Sequence, residues 1–207
     1  MKIAVIGAPG SGKSEFAKRL GVRLLEEDLD FRIVDNYVQH LQEDTDLALG
    51  PWASYAENYM IAGVRIAEEY TAATHGDPTI TVGSIIETIC YTAIIGDIRL
   101  GQIEDDATFM EAQAAMNGMA VIYGQTWDYA LSFYLPLENE TGENWEHKLD
   151  KAIPRCAESF FVPHIYELKG TIEDRLNIAT EIIKIAKRGP ETTEESTTPE
   201  VEPAEAN

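Results

Sequence analysis

Eight residues near the start of the chain, Gly7 to Ser14 (GAPGSGKS), satisfy the Walker A pattern GxxxxGK[ST] at every required position. Lys2 to Ile6 before them is a short run with β-branched residues, and Ser14 to Glu26 after them places apolar side chains at Phe16, Ala17, Leu20, Leu24 and Leu25. Strand, glycine loop and amphipathic helix in that order leave few folds open. The glycines let the backbone curl so that successive N–H groups point inward, and the helix N-terminus adds partial positive charge. Such a loop predicts a nucleoside triphosphate, ATP or GTP, with Mg²⁺ as its ligands. Gly7, Ala8, Pro9, Gly10, Ser11 and Gly12 would line the cradle, Lys13 would bridge the β- and γ-phosphate oxygens, and the Ser14 hydroxyl would coordinate the metal.

The rest of the chain alternates in the same way. A second strand is read at Phe31 to Val34 and ends at Asp35-Asn36. An aromatic-rich helix follows at roughly Trp52 to Ala73, then a third strand, Thr79 to Val82, ended by Gly83-Ser84. Ile85 to Ile95 reads as an apolar helix and about Glu104 to Tyr123 as another. Ala130 to Leu135 is a fourth strand stopped by Pro136, His164 to Leu168 a fifth, and Ile172 to Lys187 the last helix. Strands alternating with helices predict an α/β fold with a parallel sheet covered on both faces, whose ligands bind at the carboxyl ends of the strands. The glycine loop, Asp35, Ser84 and Pro136 all fall at such ends.

Composition narrows the partners. The 207 residues suit one domain, read as 1–188, and 36 acidic against 16 basic side chains give a formal charge of −20. Six acids, Glu191, Glu194, Glu195, Glu200, Glu202 and Glu205, lie in a Glu/Thr/Pro-rich segment, 189–207, read as a disordered acidic tail. The remainder is still strongly negative, so long nucleic acid and anionic lipid are poor partners. Cys90 and Cys156 have no metal-ligand spacing. No apolar run reaches the roughly 18 residues of a membrane span, and the expected location is the cytoplasm. No guanine-reading NKxD or TKxD and no LSGGQ-like signature occurs. These absences leave a small kinase, or a non-catalytic or partner-dependent ATP-binding protein or ATPase.

The chain resembles the P-loop nucleoside and nucleotide kinases, in particular the small kinase-like NTPases common in bacteriophage genomes. The resemblance rests on GAPGSGKS, Val34-Asp35, VGSIIETICYTAI after strand three, FYLPL at strand four and ELKGTIEDR near the end. It implies the three-layer fold with strand order 2-3-1-4-5, transfer of a γ-phosphate from Mg-ATP to a nucleoside, nucleotide or similar small hydroxyl acceptor, and host cytoplasm if phage-encoded. Oligomeric state is left open, a homodimer included. In the family the acid after strand two acts as catalytic base or Mg²⁺ organiser, which is the place of Asp35; the alternative is that Asp35 caps the next turn. Strand three usually ends in an acid, an arginine and a serine; Val82, Gly83 and Ser84 stand here instead. Either Asp35 and water carry the metal, or Glu87 reaches back from the following helix, or Glu87 is simply solvated.

The same resemblance makes the second helix the acceptor element, with Tyr55, Asn58, Tyr59 and Arg65 as substrate residues and Trp52 and Glu57 beside them. Aromatics at helical spacing are equally a core pattern. Between Arg32 and Lys148 the only cations are Arg65 and Arg99, so an acceptor phosphate would need one of them. The segment at about 138–158 lies where the family's lid sits. Lys148, Lys151 and Arg155 share a helical face there, with Arg155 as the lid arginine closing on the γ-phosphate, unless the helix is merely solvated. Lys169-Gly170-Thr171 matches the adenine-packing position, and Arg175 would stack on the base or pair with Glu173 or Asp174.

Overall fold

In KIAVI, successive side chains point to opposite faces, and both faces are apolar; that pattern demands a strand covered on two sides. In the computed structural model, which describes residues 1–35, 38, 41, 45–48, 53–99, 106–126, 129–138, 144–159 and 164–188, β1 spans Lys2–Ile6. The elements that follow are α1 (Lys13–Glu26), β2 (Arg32–Val34), α2 (Tyr55–Thr74), β3 (Thr79–Val82), α3 (Ile85–Arg99), α4 (Asp106–Thr126), β4 (Leu131–Tyr134), α5 (Trp145–Ser159), β5 (Ile165–Glu167) and α6 (Ile172–Arg188). The expected tail, 189–207, and residues 139–143 of the lid-like segment lie outside the described residues.

All five strands run parallel in the order β2-β3-β1-β4-β5. This is the order the resemblance implied. β1 is central: Val5 is opposite Val82 on one side and Phe133 on the other. Ile3 and Val5 face α1 and α6, packing with Phe16, Leu20, Leu24, Leu176 and Ile183. Ala4 and Ile6 face the other way, toward Ile89 and Cys90 of α3, Met116 of α4, and Leu149 and Ile153 of α5. Phe16 meets Phe133 edge to face at 6.5 Å, and both are fully buried. Burial of this kind on both faces is what fixes the position of the loop after β1. Among the described residues, no helix is long and apolar enough to cross a membrane.

The polar lid-like segment folds from Trp145 as a helix with Pro154 inside it. Proline has no N–H, so the carbonyl four residues earlier, at Asp150, loses its helical donor. Tyr134 at the end of β4 supplies the replacement, its hydroxyl donating to the Asp150 carbonyl oxygen at 2.9 Å. Leu137 N in turn donates to Asp150 Oδ2 at 3.2 Å. The carboxyl end of β4 and the first half of α5 are thereby tied together.

Candidate active site

The turn from β1 into α1 ends on Gly12, at φ +83°, a left-handed conformation that glycine adopts without strain. As the N-cap of α1 it offers no side-chain acceptor, so the N–H groups of the first helical turn are left to an external anion. Ser11 Oγ is buried and has no partner among the described residues. Lys13 folds back over the loop, its Nζ donating to Gly7 O at 2.6 Å and Ala8 O at 2.9 Å. Burial lowers the Lys13 pKa below its ordinary 10.5; Glu87 and Asp150 pull it up, while Arg65 adds to the lowering. An ammonium resting on its own loop's carbonyls and a helix N-terminus without a cap are the groups that could hold a phosphate.

Glu87 completes the back of this site. Its Oε1 accepts from Gly7 N at 2.7 Å and lies 3.8 Å from Lys13 Nζ, and the residue is 5% exposed. Arg65 approaches from α2, its Nη1 donating to the Val82 carbonyl at 2.8 Å. For Mg²⁺ the donor set is oxygen only: the Ser14 hydroxyl, with carboxylates at Glu87 and Asp35. Among the described residues no three His, Cys, Asp or Glu side chains gather as a metal cage. Oxygen donors suit a hard cation that binds through one or two protein oxygens and substrate phosphates. The residues present fit the metal.

One cleft opens over the loop, and a second adjoins it past the ends of β4 and β5. The first, of about 640 Å³, is lined by Gly10, Gly12, Glu15, Arg19, Ile172 and Arg175 among others. The second, of about 580 Å³, is lined by Tyr134, Asp150, Lys151, Glu167 and Lys169. Leu137, Glu138, His147 and Arg175 border both. Arg175 is the buried member: its Nη2 donates to Glu138 Oε1 at 3.2 Å, whereas its Nε has no partner among the described residues. It pairs with neither Glu173 nor Asp174: Glu173 is bound to Arg23, and Asp174 to Thr171.

The other expected site residues are placed unevenly. Asp35 stands at the carboxyl end of β2 on the rim, its side chain 42% exposed and 3.1 Å from Lys18. It lines a narrow crevice with Arg65 and Thr81. Tyr55 is half-buried at the start of α2. Asn58 is buried, its Nδ2 without a partner among the described residues. Tyr59 donates to the Ala112 carbonyl of α4 at 2.7 Å, which commits it to packing. Glu57 is taken by the helix end, accepting from Ser54 N at 2.5 Å and Ala48 N at 2.9 Å. Arg155 is exposed on α5 and lines neither cleft; Lys151, one turn earlier, does. Asp150 was not foreseen, although Pro154 four residues on was the visible signal that its carbonyl would need a partner.

No protein-family model matches the sequence, and no curated protein matches it by sequence. By structure the chain is similar to a deoxyadenosine kinase from M. mycoides with products dCMP and a flexible dCDP bound, at TM-score 0.61 and 12% identity, covering 89% of this chain and 100% of that one. It is also similar to NadR protein in complex with NAD and AMP-PNP, at TM-score 0.65 and 13% identity, over 90% of this chain and 49% of NadR. The chain therefore spans about half the length of NadR. Likeness at this identity concerns architecture, and with the sheet order and the loop on the page the conclusion is architectural: the chain has the fold of a P-loop kinase-like NTPase.

Proposed function

We propose that the protein is an ATP-dependent phosphotransferase that moves the γ-phosphate of Mg-ATP to a nucleoside, nucleotide or similar small hydroxyl acceptor. The observation that carries this reading is the uncapped N-terminus of α1 with Lys13 folded over the loop before it and Glu87 3.8 Å from the ammonium. A carboxylate beside Lys13 adds a group that can orient an attacking hydroxyl, whether of an acceptor or of water, and the structural neighbours favour an acceptor. In this reading the loop N–H groups and Lys13 hold the β- and γ-phosphates, and Arg175 borders the base. The Ser14 hydroxyl would hold Mg²⁺, which supplies neutralisation of phosphate charge when bound. Asp35 remains a candidate for the metal's outer contacts, and Arg155 reaches the γ-phosphate only if α5 closes.

The structural neighbours support a nucleoside hydroxyl as acceptor. So does Arg65, which is already bonded to Val82 O. The test is a panel of ribo- and deoxyribonucleosides and their 5′-monophosphates with Mg-ATP. ADP should appear only when an acceptor is present, with nucleosides turned over faster than monophosphates. Lys13→Ala should abolish that ADP while leaving the circular dichroism spectrum unchanged; full turnover in this variant would refute the reading. A second reading, a nucleotide-binding module without transfer or a partner-dependent ATPase, is favoured by the uncharged Val82-Gly83 ending of β3. ATP binding without ADP, or ADP formed without any acceptor, would select it.

A further inference from the structure

On the face of the sheet that carries α2, α3 and α4, α3 is buried from Ile85 to Cys90, whereas α2 and α4 each keep an outward side. Tyr59 of α2 donates to the Ala112 carbonyl of α4 at 2.7 Å, and Tyr123 of α4 donates to Glu69 of α2. These bonds are about ten residues apart along either helix, so the two helices run side by side in one direction. Every exposed residue of α2 is uncharged, and on α4 Glu111 is the only charged one among the described exposed residues. On α1, across the sheet, exposed Val22 and Leu25 are interleaved with exposed Glu15, Lys18, Arg19 and Glu26. A helix whose outer side meets only water is expected to look like α1.

The sizes along the two outward sides follow one order. On α2 they run Met60, Gly63, Ala67, Tyr70, and on α4 Met110, Ala114, Gly118, Ile122, large at the ends and small in the middle. The four large side chains are each at least half exposed. A Cβ added at Gly63 or Gly118 would meet nothing within 4 Å, so the packing of this chain requires a glycine at neither place. Glycine inside a helix is destabilising relative to alanine. Here it leaves a shallow track along which another helix can come close.

We infer that the outward face of α2 and α4 is where a second copy of this chain docks across a two-fold axis, making a homodimer. The formal charge of −20 makes two copies repel over most of their surface, and this uncharged face is where they can meet. A basic partner would be drawn to the acidic surface instead. The segment 189–207 is a poor occupant, with six glutamates and Val201 as its only large apolar residue. A two-fold axis sets each helix against a copy running the other way. A size order that reads alike from both ends then meets itself, with large side chains flanking a close approach at the small ones. The helices have 20 and 21 residues. At about 1.5 Å per residue and about 10 Å across, the pair presents on the order of 600 Å² in outline, and more as accessible surface. A standard interface takes about 800 Å² from each partner. The inference stands whether or not the chain transfers phosphate.

The experiment is sedimentation equilibrium on the full chain. At micromolar concentration the mass should be twice the 23.0 kDa of one chain. Ala67→Glu and Ala114→Glu each bring a new charge near its own copy and should raise the dimer Kd at least about a hundredfold. Both positions are exposed and glutamate is a good helix former, so their circular dichroism should match wild type. Leu25→Glu, across the sheet, should leave Kd within about threefold. A chain that stays monomeric overturns the proposal and leaves the face to the 189–207 segment or to another protein. So does a dimer that both glutamate variants leave intact, or one that Leu25→Glu dissociates. Should neither glutamate variant fold, wild-type amide exchange decides. Exchange in α2 and α4 should be slower above the dimer Kd than below it, and a dimer with unchanged exchange in both helices overturns the assignment.

Discussion

Thr171 and Asp174 close the N-terminus of α6 on each other. The Asp174 carboxylate accepts from Thr171 Oγ1 at 2.7 Å and Thr171 N at 3.0 Å, and Asp174 N donates back to Thr171 Oγ1 at 3.2 Å. The Thr171 hydroxyl first, then its backbone N–H, hold the Asp174 carboxyl below its ordinary 3.8. The lowered value belongs to the folded state, so the stability it contributes is complete above 3.8 and is lost as pH falls through the folded value. In urea titrations, the gap in midpoint between wild type and Asp174→Asn should be constant near neutrality and close below pH 3.8; a gap that persists in acid would refute this account. The same device shows what a single sequence discloses at this scale. Ser54 and Glu57 carry a readable S-x-x-E cap, yet Glu57 was also expected beside the substrate residues. Its second oxygen goes to Ala48 N, in a stretch with no periodicity to announce it.

At the scale of elements, the helices and strands around the glycine loop were legible because apolar periodicity and punctuation agreed, and the 2-3-1-4-5 order followed from the resemblance. Less legible was how α5 is attached. Pro154 announces a vacant carbonyl but not its donor, since Tyr134 is separated from Asp150 by a loop whose path the sequence leaves open. Burial first, then the nearby Asp150 charge, raises the Tyr134 pKa, so the phenol stays a donor across the working pH range. Removing that hydroxyl orphans a part-buried carbonyl, a loss of about 1 kcal/mol. Tyr134→Phe should lower the stability measured by chemical denaturation by that amount and raise amide exchange in the first half of α5. Exchange unchanged in α5 would mean that the hydroxyl does not hold the helix.

Across the whole molecule, β1 is held at both ends. Its carboxyl end becomes the phosphate loop; at its start Lys2 is 2.5 Å from Glu69 of α2, whose side chain is fully buried. Tyr129 donates to Glu69 at 2.9 Å and Tyr123 of α4 donates to it as well, while the Lys2 ammonium lies 4.3 and 4.1 Å from the two ring centroids. Burial and the Glu69 charge raise both phenol pKa values, which keeps the tyrosines protonated as donors. Three stretches distant in sequence meet at this one charge, a convergence that no local pattern could announce. Glu69→Gln leaves Lys2 without its counter-charge and should cost about 3 kcal/mol by denaturant unfolding; a loss below about 1 kcal/mol would mean that the tyrosines alone hold Lys2. Gly83 has a consequence of a different kind, for descent. Any larger residue there collides with Arg65 and Glu87 before it can contribute chemistry, and an L side chain resists its positive φ. A lineage carrying this arrangement gains a side chain at position 83 only if the ends of Arg65 and Glu87 move aside and the backbone bears the strain of a positive φ.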